Sequence, residues 1–180
     1  MATRISQAEF LNLMQRYVAI DAVPASAMRN QAKGTVKAVH EYLGGVHLSK
    51  AASQSQLQYS GWLNNRTEAL LDGLPGASRP WGVARKALNL FMRCCLYNHY
   101  LRDEFCLARV EPWLEIPLDS VIATALKRHA GWGALPEWPG LKRLTPEVSQ
   151  RFQDHASEYA VELGLRARVF LDNYLWVRNR

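Results

Sequence analysis

The sequence predicts an all-α protein, and three observations carry that expectation. Apolar residues recur at three- and four-residue spacing along most of the 180-residue chain. No stretch alternates convincingly with period two, so no pair of strands joined by a hairpin is expected. Helix-start chemistry, a short polar side chain just before an apolar run, recurs at Ser6, Asp119 and Thr145.

Taken in order, Ser6 and Glu9 form a capping box for a first helix, with Phe10, Leu13, Met14, Tyr17 and Val18 expected to face inward. Asp21 to Pro24 ends it. A second helix is expected from about Ala25 to Leu43, stopping at Gly44-Gly45 and carrying Arg29, Lys33 and Lys37 as a basic stripe. Residues 46 to 60, rich in Ser and Gln, show no clear pattern. A short helix from about Gly61 to Leu71 ends at Asp72-Gly73, and the Pro- and Gly-rich run from Leu74 to Gly82 reads as a loop. The longest helix follows, from about Trp81 to Asp103. A connector from Phe105 to Leu118 contains Pro112 and Pro117, and Asp119 opens a helix from Ser120 to His129. Gly131 to Leu144 is a Trp-, Pro- and Gly-rich loop. Thr145 then caps a helix with Pro146 in its first position, running to about Leu163. Beyond Gly164, a last helix carries Val169, Phe170, Tyr174 and Trp176. The expectation is one compact domain over residues 1–180, of about seven helices and without internal repeats.

Composition narrows the function classes. Hydrophobic residues at 48% and charged residues at 21% exclude a disordered or low-complexity chain. No apolar run approaches the ~18 residues of a membrane span, and the N-terminal residues lack a signal peptide's apolar stretch. Three cysteines, two of them adjacent at Cys94 and Cys95, make no disulfide framework and point to a reducing, cytoplasmic setting. The formal charge of +6 favours a polyanionic partner. His40 and His47 form no metal motif with the clustered cysteines, so no metal and no cofactor are expected.

Two segments stand out chemically. In Gly82-Val83-Ala84-Arg85-Lys86-Ala87-Leu88-Asn89-Leu90, a lysine lies in the first turns of a long helix after a Gly-rich turn. In Ile116-Pro117-Leu118-Asp119-Ser120-Val121-Ile122, an aspartate stands at a helix N-cap. With Leu74-Pro75-Gly76, these segments resemble the helix-hairpin-helix DNA glycosylase superfamily, which includes the endonuclease III-like and 8-oxoguanine glycosylases. The resemblance covers residues 74 to 125. Ala84 replaces the second hairpin glycine, extra residues separate Leu74-Pro75-Gly76 from Gly82, and no histidine follows Asp119. Lys86 and Asp119 stand 33 positions apart, longer than in compact members, and the cysteines do not match an iron–sulfur cluster. These departures mark a divergent member with a degenerate hairpin.

The resemblance implies base excision from double-stranded DNA by a monomer. Breaking an N-glycosidic bond builds positive charge on the sugar, which a carboxylate stabilises. Asp119 takes that role, and Lys86 is either the amine that attacks C1′ to form a Schiff base or a phosphate ligand. The target base must leave the stack for a pocket, with Tyr97, Asn98, Trp113, Trp132 and Trp138 as candidate lining. Backbone N–H groups at Gly82, Val83 and Ala84 are candidates for binding phosphate at a helix start. Arg85, Arg93, Lys127, Arg128, Lys142 and Arg143 are candidate DNA contacts. The damaged or modified base could be a bulky cytosine of phage DNA, attacked as antiviral defence.

Two other readings stand beside this one. Arg93 and His99 at Arg-x-x-x-x-x-His spacing resemble the signature of HEPN ribonucleases, with His99 as acid–base and Arg93 holding the phosphate. A nucleic-acid-binding module without chemistry would need the basic residues alone. The glycosylase expectation makes a geometric demand: Lys86 and Asp119 must meet at the mouth of one cleft.

Overall fold

The computed structural model describes residues 4–52, 55–76 and 79–178. Among them it is all-helical, with eight α-helices and no strand. These are α1 (Gln7–Ala22), α2 (Thr35–Gly44), α3 (Gln56–Gly73), α4 (Trp81–Tyr97), α5 (His99–Glu104), α6 (Ser120–Ala130), α7 (Pro146–Glu162) and α8 (Leu171–Arg178). Single 3-10 turns occur between α1 and α2, between α2 and α3, and just before α8, and two lie between α5 and α6. The expected caps form: Ser6 and Glu9 close a reciprocal capping box, Asp119 caps α6, and Thr145 caps α7 ahead of Pro146.

Four expectations are corrected. First, α1 is rotated: Leu13 and Tyr17 are exposed, while Leu11, Gln15, Val18, Ala19 and Ala22 are buried. Gln15 sets this face, because its amide donates to the carbonyls of Leu43 at 2.9 Å and Val46 at 2.8 Å. Those groups lie at and just past the end of α2, where helical partners run out. Second, α2 starts only at Thr35, after a 3-10 turn at Ala25–Met28 and left-handed backbone at Asn30 and Gly34. Arg29 and Lys33 therefore lie off the helix, and no basic stripe forms with Lys37. Third, α3 begins at Gln56, because Ser55 accepts a capping bond from Gln58 N. Fourth, the long helix breaks at Asn98, whose Oδ1 accepts from Leu101 N at 3.2 Å and starts α5 afresh.

Helix α4 is the central strut. Every residue from Gly82 to Met92 is buried, and the helix packs against α1, α2, α3 and α7. One apolar core gathers α1 to α5 around Leu43, Tyr59, Leu63, Leu88 and Phe91. A second gathers α6, α7 and α8 around Ile122, Leu126, Phe152 and Leu171. The connector before α6 runs between them, and its backbone finds no strand partner. Side chains satisfy it instead. Gln153 of α7 donates to Ile116 O at 2.9 Å and accepts from Ile116 N at 3.0 Å. Arg168 donates to Leu114 O at 3.1 Å and Trp113 O at 3.2 Å.

Candidate active site

The site begins with the buried pair one residue before Lys86. Arg85 forks onto Glu115 through Nε at 2.8 Å and Nη2 at 2.7 Å, and its Nη1 donates to Asn64 and Thr67. Asn89 Nδ2 adds a bond to Glu115 Oε2 at 2.9 Å. Burial alone would push the Glu115 carboxyl up, but the bonds and charge of Arg85, helped by Arg168 and Asn89, outweigh it and hold Glu115 below its ordinary value. This anchor draws the connector back along α4.

Four residues past Glu115, the chain delivers Asp119 opposite Lys86. Lys86 Nζ donates to Asp119 Oδ2 at 3.1 Å, across 33 positions of sequence. The other carboxylate oxygen, Oδ1, accepts from Val121 N at 2.9 Å and Ile122 N at 3.0 Å. One carboxylate thus caps α6 and faces the lysine. The lysine side chain is 10% exposed and the aspartate side chain 33%. Both line an open cleft of about 1070 Å³.

The cleft floor is a stripe of α4: Lys86, Leu90, Arg93 and Cys94. Its walls come from the segment after α1 with Arg29 and Asn30, the start of α6, the loop from Trp138 to Arg143, and Asp172, Asn173 and Trp176 of α8. Arg93 pairs with Asp172 in the wall.

The candidate pocket residues separate. Trp138 lines the cleft, its ring set edge-on to Phe152 at 5.6 Å. Tyr97 is exposed, stacks on Phe170 and accepts from Asn173 Nδ2 at 3.1 Å. Asn98 is occupied as the cap of α5, and Trp113 packs against the first core. Trp132 is fully exposed between Gly131 and Gly133. Tyr97, Asn98, Trp113 and Trp132 do not line the cleft.

The phosphate site expected at Gly82, Val83 and Ala84 is corrected, because all three are buried. Val83 N and Ala84 N turn back to Pro80 O, and a Cβ on Gly82 would stand 2.6 Å from Leu141 O. The loop before α7 covers this helix start, so glycine serves close packing there and not ligand approach. Arg85, locked on Glu115, is likewise unavailable to DNA. Among the other candidates, Lys142 and Arg143 are exposed on the cleft wall, Lys127 pairs with Glu137 at 2.6 Å, and Arg128 is exposed. His99 is exposed with its ring on Tyr100, and it does not line the cleft that holds Arg93.

Sequence reasoning missed Asp172, Asn173 and Trp176. Their helical spacing is visible in the chain, but nothing local says which cleft they face. Among the described residues, no group of three or more His, Cys, Asp or Glu side chains converges as a metal site requires. No helix among them is long and apolar enough to cross a membrane. No family model, no curated protein and no solved structure matches this chain.

Proposed function

We propose that this chain is a DNA glycosylase, a divergent relative of the helix-hairpin-helix glycosylases, acting as a monomer on double-stranded DNA. One observation carries the reading: a lysine ammonium and a carboxylate in contact at 3.1 Å, both lining one open cleft. Asp119 is rigid, because two backbone N–H groups hold its other oxygen. A fixed negative charge is what an oxocarbenium-like sugar needs, since it costs no reorganisation when the charge develops. In hydrolysis the base leaves C1′ with the bonding electrons and a water oxygen takes its place, its proton passing to Asp119. In the lyase variant, Lys86 gives a proton to Asp119 and its nitrogen bonds to C1′ as the base leaves with the electrons of the glycosidic bond.

The surroundings support the same substrate. Arg29, Lys142 and Arg143 line the cleft, a basic rim for a phosphate backbone. Trp138 and Trp176 offer aromatic faces for an extruded base. The cleft, about 1070 Å³, is large enough to admit a base, including one enlarged by a modification such as that of a bulky phage cytosine. All three cysteines are free thiols, in keeping with a reducing, cytoplasmic setting. The ribonuclease reading needs His99 beside Arg93, and His99 lies outside the cleft.

The test is a panel of duplexes carrying different damaged or modified bases, incubated with the protein and then treated with alkali. Strand breaks at one class of base support the glycosylase. Binding without base loss across the panel leaves the module without chemistry, and RNA cleavage lost in His99→Ala returns the ribonuclease.

A further inference from the structure

Asn89, close in sequence to Lys86 on α4, is a buried side chain whose bonding is incomplete. It lies three residues past Lys86 on α4, where side chains are neighbours on one face. It is 3% exposed. Its Nδ2 is fixed on Glu115, and the amide is planar, so the direction of Oδ1 is fixed as well. That oxygen is buried and has no hydrogen-bond partner. Asn89 and Lys86 line one narrow crevice with Gly82, Leu118 and Ser149, and it is too tight for a water molecule. The missing donor must therefore be a side chain on the crevice, and the candidates are Lys86, Arg85 and the Ser149 hydroxyl. Arg85, also on the crevice, is committed to Glu115, Asn64 and Thr67. Lys86 has three N–H donors, one of which meets Asp119.

We infer that Asn89 is the second partner of Lys86, a positioning residue that receives the ammonium when Asp119 turns its charge to the substrate. Its purpose rests on the glycosylase reading, but the geometry does not. With Lys86 on Asp119, the carboxylate is neutralised at rest. With Lys86 on Asn89, the Asp119 charge faces the cleft alone, where positive charge develops on the sugar. Leaving Asp119 separates opposite charges, a cost limited on the aspartate side because that carboxylate is one-third exposed and keeps its two backbone bonds. Arrival on Asn89 supplies the donor that a buried carbonyl lacks.

The test follows the Lys86 ammonium signal in the 15N spectrum of the full chain, assigned by its disappearance in Lys86→Arg. Asp119→Ser keeps a capping oxygen for α6 but is too short to reach Lys86. The signal should persist, shifted, in Asp119→Ser, and it should vanish in Asp119→Ser with Asn89→Leu. It should persist in Asp119→Ser with Ser149→Ala, which removes the competing donor. Loss of the signal in Asp119→Ser alone overturns the inference, as does its survival when Asn89 is also replaced. The single variant leaves the Asn89–Glu115 bond intact, so loss of the signal there overturns the inference even if Asn89→Leu fails to fold. Absence of base release from every duplex would remove the glycosylase reading without moving any of these signals.

Discussion

Asp119 does two jobs with one carboxylate, and substitution separates them. In Asp119→Asn, the remaining carbonyl oxygen still caps α6, but the charge is gone. Base release should fall by ~10²–10³-fold, the scale of losing one electrostatic stabiliser, with little change in DNA affinity but a lower thermal midpoint, because Lys86 loses its counter-charge. Asp119→Ala should add a stability loss of about 1 kcal/mol from the missing cap, read by chemical denaturation. Equal base release in Asp119→Asn and the parent would sink the catalytic role. The capping half of this residue was legible, because an aspartate before an apolar helical run caps by local chemistry. Its contact with Lys86 was not written in spacing; only the resemblance to glycosylases suggested it. Gly82 shows the opposite failure. A glycine at a helix start suggests an anion site, yet whether that start is open depends on a loop 60 residues downstream, where Leu141 and Leu144 close over it. Gly82→Ala puts a methyl 2.6 Å from Leu141 O and 2.7 Å from Leu144 Cβ. The expected cost is about 1–3 kcal/mol from overpacking, seen as a lower denaturant midpoint.

At the scale of elements, the connector and α4 are held in register by the buried Arg85–Glu115 pair. Removing one partner leaves the other charge buried and uncompensated. Glu115→Gln should cost about 3–5 kcal/mol at neutral pH, measured by denaturation. Acid should weaken the parent by the same route. The folded carboxyl lies below its ordinary value of 4.5, so the unfolded chain takes up the proton first. The stabilisation is complete above pH 4.5 and is lost as pH falls through the folded value. In Glu115→Gln that part of the acid dependence should disappear; an unchanged pH slope would refute this origin. Helix identities were largely readable here, because caps and periodicity are local. Helix faces were less so. The orientation of α1 depends on Gln15 reaching carbonyls 28 and 31 residues away, a contact no periodicity shows. Likewise, Asn98 sits among apolar neighbours in a pattern that continues past it, and only its own capping bond ends α4.

At the scale of the whole molecule, a charge of +6 becomes useful only where the fold concentrates it. Arg29, Lys142 and Arg143 come from opposite ends of the chain to one cleft. If they meet DNA phosphates, Lys142→Ala and Arg143→Ala should each lower the slope of log affinity against log salt by about 1. They should weaken binding to all sequences alike. Fluorescence titrations across salt concentrations check this, and unchanged slopes would place the DNA elsewhere. The basic composition was plain in the sequence, but the cleft was not, because its walls join through tertiary packing alone.

That assembly has a consequence for the newborn protein. The cleft takes residues from the end of α1 through to α8, and its Arg93–Asp172 pair closes only when α8 docks. A chain still on the ribosome, or one clipped before residue 171, holds Lys86 and Asp119 but not the finished chamber around them. If the cleft is the reactive site, activity requires α8 to be docked, and removal of residues 171–178 should abolish it without removing either Lys86 or Asp119.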